Sequence, residues 1–348
     1  MPQDESIRAH VFARPGLGPE LGQRLLPLQP AAARLAGQQE VGRTDHFIIF
    51  TDGTPDGNAS AQAMLQSAEA DFGAIQAWFG GLQLPPGQEG DDQTTVRTAL
   101  PMQVAMDSQA GGAYHYACDG TDIFIEPVPA VAGGLLVAEV VEVFEAAQAG
   151  GWDCGRTNGE GLSRVLAFER YPALAQDFLD TEQYWWSHGH ADYVNTNDAG
   201  DTDEASNGCA TLFLFYLHSQ LNYTWDQIVA AAGPTLGATY QRLTGVDPQS
   251  GFQDFVLRLQ TLDNGSGQLT LPPSGNPFPL NQQAPQSSGA SSGAAAPGDA
   301  TPPSQPASAG APQWPTTPTR PTTTARGTIM AIIGLIIVIA VAYYVFSH

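Results

Sequence analysis

The sequence predicts an α+β domain, strands first and helices afterwards, followed by a low-complexity linker and one membrane-spanning helix at the C-terminus. Three observations predict it. Short apolar runs closed by turn residues fill the first part of the chain, as in His46-Phe47-Ile48-Ile49-Phe50 before Thr51-Asp52-Gly53. From about residue 135 onward the apolar residues recur at helical spacing. The stretch from Gly327 to the end, GTIMAIIGLIIVIAVAYYVFSH, contains no Asp, Glu, Lys or Arg and approaches the ~20 apolar residues that cross a bilayer.

Residues 1–44 show no clear periodicity and are expected to form a loosely packed extension. Residues 45–263 hold most of the aromatic and charged side chains and have the length of one domain. Within them, 60–79 sets Ala63, Leu65, Ala68, Phe72, Ile75 and Trp78 on helical spacing and stops at Gly80-Gly81. One or two strands are expected over 96–106. A turn at Gly111-Gly112 leads to Tyr114-His115-Tyr116, and 121–126 reads as a further strand ended by Pro127 and Pro129. Helices are expected at 135–149, 158–170, 206–220, 224–232, 235–244 and 250–261, the later ones as a helical subdomain. Residues 264–326 are rich in Pro, Ser, Gly, Thr and Ala, with only Asp299, Arg320 and Arg326 charged. Such a segment buries too little apolar surface to fold. Residues 327–348 are the anchor, with Tyr343 and Tyr344 suited to the interfacial level.

The net charge is -22, and the chain has no lysine. A surface of that sign repels polynucleotides, so no nucleic-acid partner is expected. Residues 1–44 lack the apolar core of a signal peptide. Arg320 and Arg326 precede the anchor and no cation follows it, which places the domain in the cytoplasm by the positive-inside bias and makes the helix a tail anchor. Cys118, Cys154 and Cys209 lie far apart in odd number. They are expected to form neither a zinc ribbon nor a disulfide framework, consistent with a reducing compartment.

The order of elements and a few short echoes carry a resemblance. A strand Thr121-Asp122-Ile123-Phe124-Ile125 precedes an apolar helix with Ala138-Glu139-Val140-Val141-Glu142. A second helix opens with Asn158-Gly159-Glu160-Gly161, and Gly208-Cys209-Ala210-Thr211-Leu212-Phe213-Leu214 follows later. Across roughly 45–262 this resembles the zincin-like metallopeptidases of the gluzincin and basic-secretory-protein-like type. In those families the first helix carries HExxH and the second an EGxAD-like stretch with a further ligand. The resemblance implies that Glu139 holds the general-base position and Glu160 the third-ligand position. It also shows the departures: Ala138 and Glu142 replace the two ligand histidines, and Arg164 stands where the family has an Asp.

Three functional readings follow. In the first, Arg164 neutralises Glu160 and Glu142 where zinc would sit, no metal or other cofactor is held, and the domain binds a protein or peptide, for instance along strand 121–126. Here Glu139 is an inactive general base. In the second, Glu142 and Glu160, helped by Glu139 or Glu145, hold a hard cation such as Ca²⁺ or Mg²⁺, which all-oxygen donors suit better than Zn²⁺, the other metal considered, in a noncanonical membrane-bound hydrolase. The third is a structural or assembly membrane protein in which Glu139, Glu142 and Glu145 form a solvated helix stripe. Tyr114 and His115 either line the cleft or alternate across an ordinary strand. The imidazoles of Trp185-Trp186-Ser187-His188-Gly189-His190 fit a surface loop with an aromatic anchor, and the acidic run 197–204 fits Asx-rich turns better than a calcium loop. No GxGxxG, GK[ST] or Gly-x-Ser-x-Gly pattern occurs.

Overall fold

A computed structural model describes residues 9–13, 35–89, 96–200 and 202–280. In them, six strands join into one mixed sheet: β1 (Ala9–Ala13), β2 (Gln39–Arg43), β3 (Phe47–Thr51), β4 (Met102–Met106), β5 (Gly112–Tyr116) and β6 (Asp122–Ile125). Their order across the sheet is β1-β5-β6-β4-β3-β2. β3, β4 and β6 run parallel, and the remaining pairs are antiparallel. The burial pattern follows the period of two: Phe47, Ile49 and Thr51 of β3 face inward, while Ile48 and Phe50 are only partly covered.

The sheet order corrects one expectation directly. Strand 121–126 was expected to offer an open edge to an extended peptide. β6 instead lies between β5 and β4, so its main-chain groups are paired on both sides and cannot accept another strand. The edges are β1 and β2. Both come from the stretch expected as a loose extension; each is only five residues long, too short to show a period, and main-chain pairing recruits it. The far boundary moves as well. Leu269 and Phe278 are buried, and the Leu280 N–H donates to Gln220 at 2.6 Å, so the ordered part continues past 263.

Helices cover the sheet. α1 (Pro55–Trp78) starts earlier than its apolar period because Thr54 caps it, accepting from the Gly57 N–H at 3.0 Å, with Pro55 in the first turn. α2 (Ala132–Gln148) packs on β5, β6 and α1, and α3 (Thr157–Arg170) packs on α2. Next come α4 (Ala175–Ser187), α5 (Glu204–Phe215) with a π-helical continuation at Tyr216–Gln220, α6 (Trp225–Ala230), α7 (Leu236–Thr244) and α8 (Pro248–Leu259). The sequence reading did not anticipate α4. Trp185 and Trp186, expected in a surface loop, are buried on this helix. His188 stacks on Tyr184 and His190 on Trp186, so each imidazole has its own aromatic partner. α5 packs closely on α4 because Gly208 has no side chain to strike the Thr181 carbonyl.

A second correction concerns the cysteines. Cys118, in the turn between β5 and β6, and Cys154, in the loop between α2 and α3, form a disulfide with Cα atoms 5.8 Å apart. Cys209 is free and buried. A separation of 36 residues hides the pair in the sequence; the fold brings the turn and the loop together. The expected anchor at 327–348 and most of the expected linker lie outside the described residues. Among the described residues no helix is long and apolar enough to cross a membrane.

α1 and α3 are tied by a buried acid. Asp71 accepts from Arg170 Nη2 at 2.7 Å and Nε at 2.9 Å, and from the Tyr171 hydroxyl at 2.6 Å. Burial, and then the bond to Asp71, push the Tyr171 hydroxyl up to about 12. Arg170 is partly exposed, so the loss on breaking this tie falls below that of a fully buried pair. Asp71→Ala should destabilise the fold by about 2 kcal/mol, read as a lower urea midpoint with an unchanged slope.

Candidate functional site

The site is built on α2, which is buried on nearly every side from Ala132 to Glu145. Packing between the sheet, α1 and α3 leaves no solvent face for Glu139, Glu142 and Glu145, each with 0% exposure. The reading of these three as a solvated stripe is overturned. Their spacing of three does put them near one face, but that face looks into the protein.

The side chains opposite them are specific. β5 alternates, sending Tyr114 and Tyr116 to the far face, where Tyr114 stacks on Phe124, and His115 toward α2. His115 Nδ1 lies 2.6 Å from Glu139 Oε2, and its Nε2 lies 3.9 Å from Glu142 Oε2. Of the two cleft candidates on this strand, His115 therefore joins the acids and Tyr114 does not. From α3, Arg164 Nη2 donates to Glu160 Oε2 at 3.1 Å, both side chains being buried. The guanidinium thus sits on Glu160, one helical turn before it, while Glu142 has His115 for a basic neighbour.

Two more buried carboxyl groups lie on α2 and α4. Glu145 lies against the start of α3: a Cβ on Gly159 would approach its Oε2 to 2.6 Å, so the glycine makes room for the acid. Burial pushes the Glu145 carboxyl well above its usual range, and Glu160 and then Asp153 add to the effect. Glu182 on α4 is also fully buried and raised by burial. The oxygens of both have no hydrogen-bond partner among the described residues. Sequence reasoning gave Glu145 a minor part and missed Glu182, Cys118 and Cys154. For Glu182 and Cys154, only apolar neighbours could have signalled burial.

Cys154 closes the arrangement. One donor atom each from His115, Glu142 and Cys154 lie within 4.8 Å of one another. The disulfide sulfur of Cys154 is therefore a near neighbour of the imidazole and the carboxylate. In the acidic run, the described Asn197, Asp198 and Asp203 do ordinary turn and cap work: Asn197 Oδ1 accepts from the Asn158 N–H, the Asp198 carbonyl from the Thr157 N–H, and Asp203 Oδ1 from the Ala205 N–H.

The donor set of a zincin is not met by these residues. Ala138 offers no ligand atom, and Glu160 is engaged by Arg164, so two of the three positions are unsuited to zinc. No family profile, no curated protein and no solved structure matches this chain.

Two outcomes follow from this geometry. Arg164→Met should cost about 3–5 kcal/mol, because Glu160 would keep its burial and lose its counter-charge; thermal and urea unfolding would read it. For Glu145 and Glu182, a folded pKa above the unfolded one means stability that is full below about pH 4.5 and is lost as pH rises through the raised value. The double substitution Glu145→Gln with Glu182→Gln, neutral at every pH, should therefore gain stability over the parent as pH climbs from 4 to 8. A constant difference in urea midpoint across that range would contradict it.

Proposed function

We propose that this chain is a membrane-tethered, metallopeptidase-like domain that has lost hydrolysis and works by binding a protein or peptide partner. One observation carries the reading: Glu139, at the general-base position, is fully buried and bound to His115 at 2.6 Å. A general base must reach a water and a substrate, and a sealed carboxylate reaches neither. The missing donor at Ala138 and the Arg164–Glu160 pair support the same conclusion. Strands followed by packed helices agree with the zincin resemblance at the level of an α+β class.

The tether rests on the apolar run 327–348, and the cytoplasmic orientation on Arg320 and Arg326. The partner is not a nucleic acid, given a charge of -22. With β6 interior, strand addition there is ruled out, and the binding surface belongs elsewhere on the domain. The hydrolase reading requires substrate to approach Glu142 and Glu160, neither of which has exposed surface.

The test is hydrolysis of casein and of mixed unstructured peptides by the full chain, with and without added Zn²⁺ or Ca²⁺. Turnover should equal that of buffer and be the same for Glu139→Gln. Cleavage that Glu139→Gln abolishes would overturn the proposal.

A further inference from the structure

We propose that Cys118, Cys154, His115 and Glu142 form a redox-gated zinc site, closed by a disulfide when oxidised and by Zn²⁺ when reduced. The ligands differ from the zincin set, and the site is structural rather than hydrolytic.

The geometry comes first. His115, Glu142 and Cys154 present an imidazole nitrogen, a carboxylate oxygen and a sulfur within 4.8 Å of one another. Donors around one tetrahedral ion stand roughly 3.3–3.8 Å apart, given bonds of roughly 2.0–2.3 Å, so these three need to close by about an ångström to take one. Cys118 Sγ is bonded to Cys154 Sγ, so breaking that bond leaves a fourth donor beside the third. A mixed set of two thiolates, one imidazole and one carboxylate suits zinc better than calcium or magnesium.

The orientation of His115 is the second, independent observation. Its Nδ1 faces Glu139 Oε2 at 2.6 Å, and its Nε2 faces Glu142 at 3.9 Å. A carboxylate on one ring nitrogen fixes the tautomer and directs the other nitrogen to a metal, as in carboxylate–histidine–zinc arrangements. Glu139, idle as a base in the reading above, then has a positioning role. Electrostatics agree. Glu139, Glu142, Glu145 and Glu160 surround this region with no solvent, balanced by His115 and by Arg164 on Glu160. Freeing a thiolate there adds further negative charge, and a divalent cation offsets it.

The chemistry balances with a dithiol as reductant. Its thiolate attacks the half-buried Cys118 sulfur, the S–S bond breaks, and Cys154 leaves as thiolate. The second thiol of the reductant closes its own disulfide and frees Cys118. Two electrons pass to the cysteines, and on zinc binding both thiols release their protons to water. Four protein ligands leave no open position for a reactive water, so zinc uptake and hydrolysis are separable.

The experiment uses the full chain, fully oxidised or reduced with a dithiol, incubated with zinc chloride, desalted and analysed for metal. About one Zn²⁺ per reduced chain and close to none per oxidised chain is expected. Reoxidation should release the metal. Cobalt chloride in place of zinc should give thiolate-to-metal absorption in the reduced chain that Cys209→Ser leaves intact and Cys154→Ser removes. Lack of zinc in the reduced chain, whether it stays folded or unfolds with zinc present, would overturn the proposal, as would equal zinc in the oxidised chain. Zinc uptake accompanied by casein cleavage would instead strike the non-hydrolytic reading while leaving the ligand set standing.

Discussion

The structure depends on keeping several carboxyl groups inside a dry core. Glu139, Glu142 and Glu145 on α2, Glu160 on α3 and Glu182 on α4 have no contact with solvent, and each would cost several kcal/mol if left charged and unpaired. The protein uses more than one solution at once. His115 sits on Glu139 and Arg164 on Glu160, whereas Glu145 and Glu182 are held toward their neutral forms by burial. The helices can pack closely around such groups only because Gly159 and Gly208 leave space where a side chain would collide.

This arrangement explains how an α2 with an acidic pattern can also be the central helix of the fold. Leu135, Leu136, Val137, Val140, Val141 and Phe144 supply the apolar contacts with the sheet and α1. The acids fill the remaining angle, where His115 of β5 and the start of α3 meet it. Ordinary amphipathicity would have turned that angle to water. Here α3, the 149–156 loop and the disulfide cover it. The carboxylates therefore act as internal polar structure, in surroundings where the low dielectric strengthens every hydrogen bond and ion pair they make.

Much of the α+β order was legible. β3, α1, β5, β6, α2 and most later helices follow apolar periods and turn residues visible in the chain, with ends displaced by caps such as Thr54 and Asp247. What escaped has physical reasons. β1 and β2 are only five residues each, too short to show a period, so their pairing partners define them more than their own sequence. α4 was hidden because its two tryptophans and neighbouring histidines suggested a loop. The site was half legible: the family resemblance pointed to Glu139, Glu142, Glu160 and Arg164, but nothing local distinguishes a glutamate facing water from one facing a core. His115 was weighed, with Tyr114, as a cleft residue against an ordinary alternating strand, and its bond to Glu139 depends on a helix that begins 17 residues later. The disulfide, joining a turn to a distant loop, had no local signature at all.

β1 pairs with β5 from Ala9 opposite Tyr116 to Ala13 opposite Gly112, so one sheet margin is supplied by a strand about a hundred residues upstream of its neighbour. If that strand peels away, β5 becomes a bare border with its N–H and C=O row open. The same border carries His115. A copy of the N-terminal strand from another molecule has the matching register to fill the gap, which makes strand exchange the natural route by which two such domains would become linked.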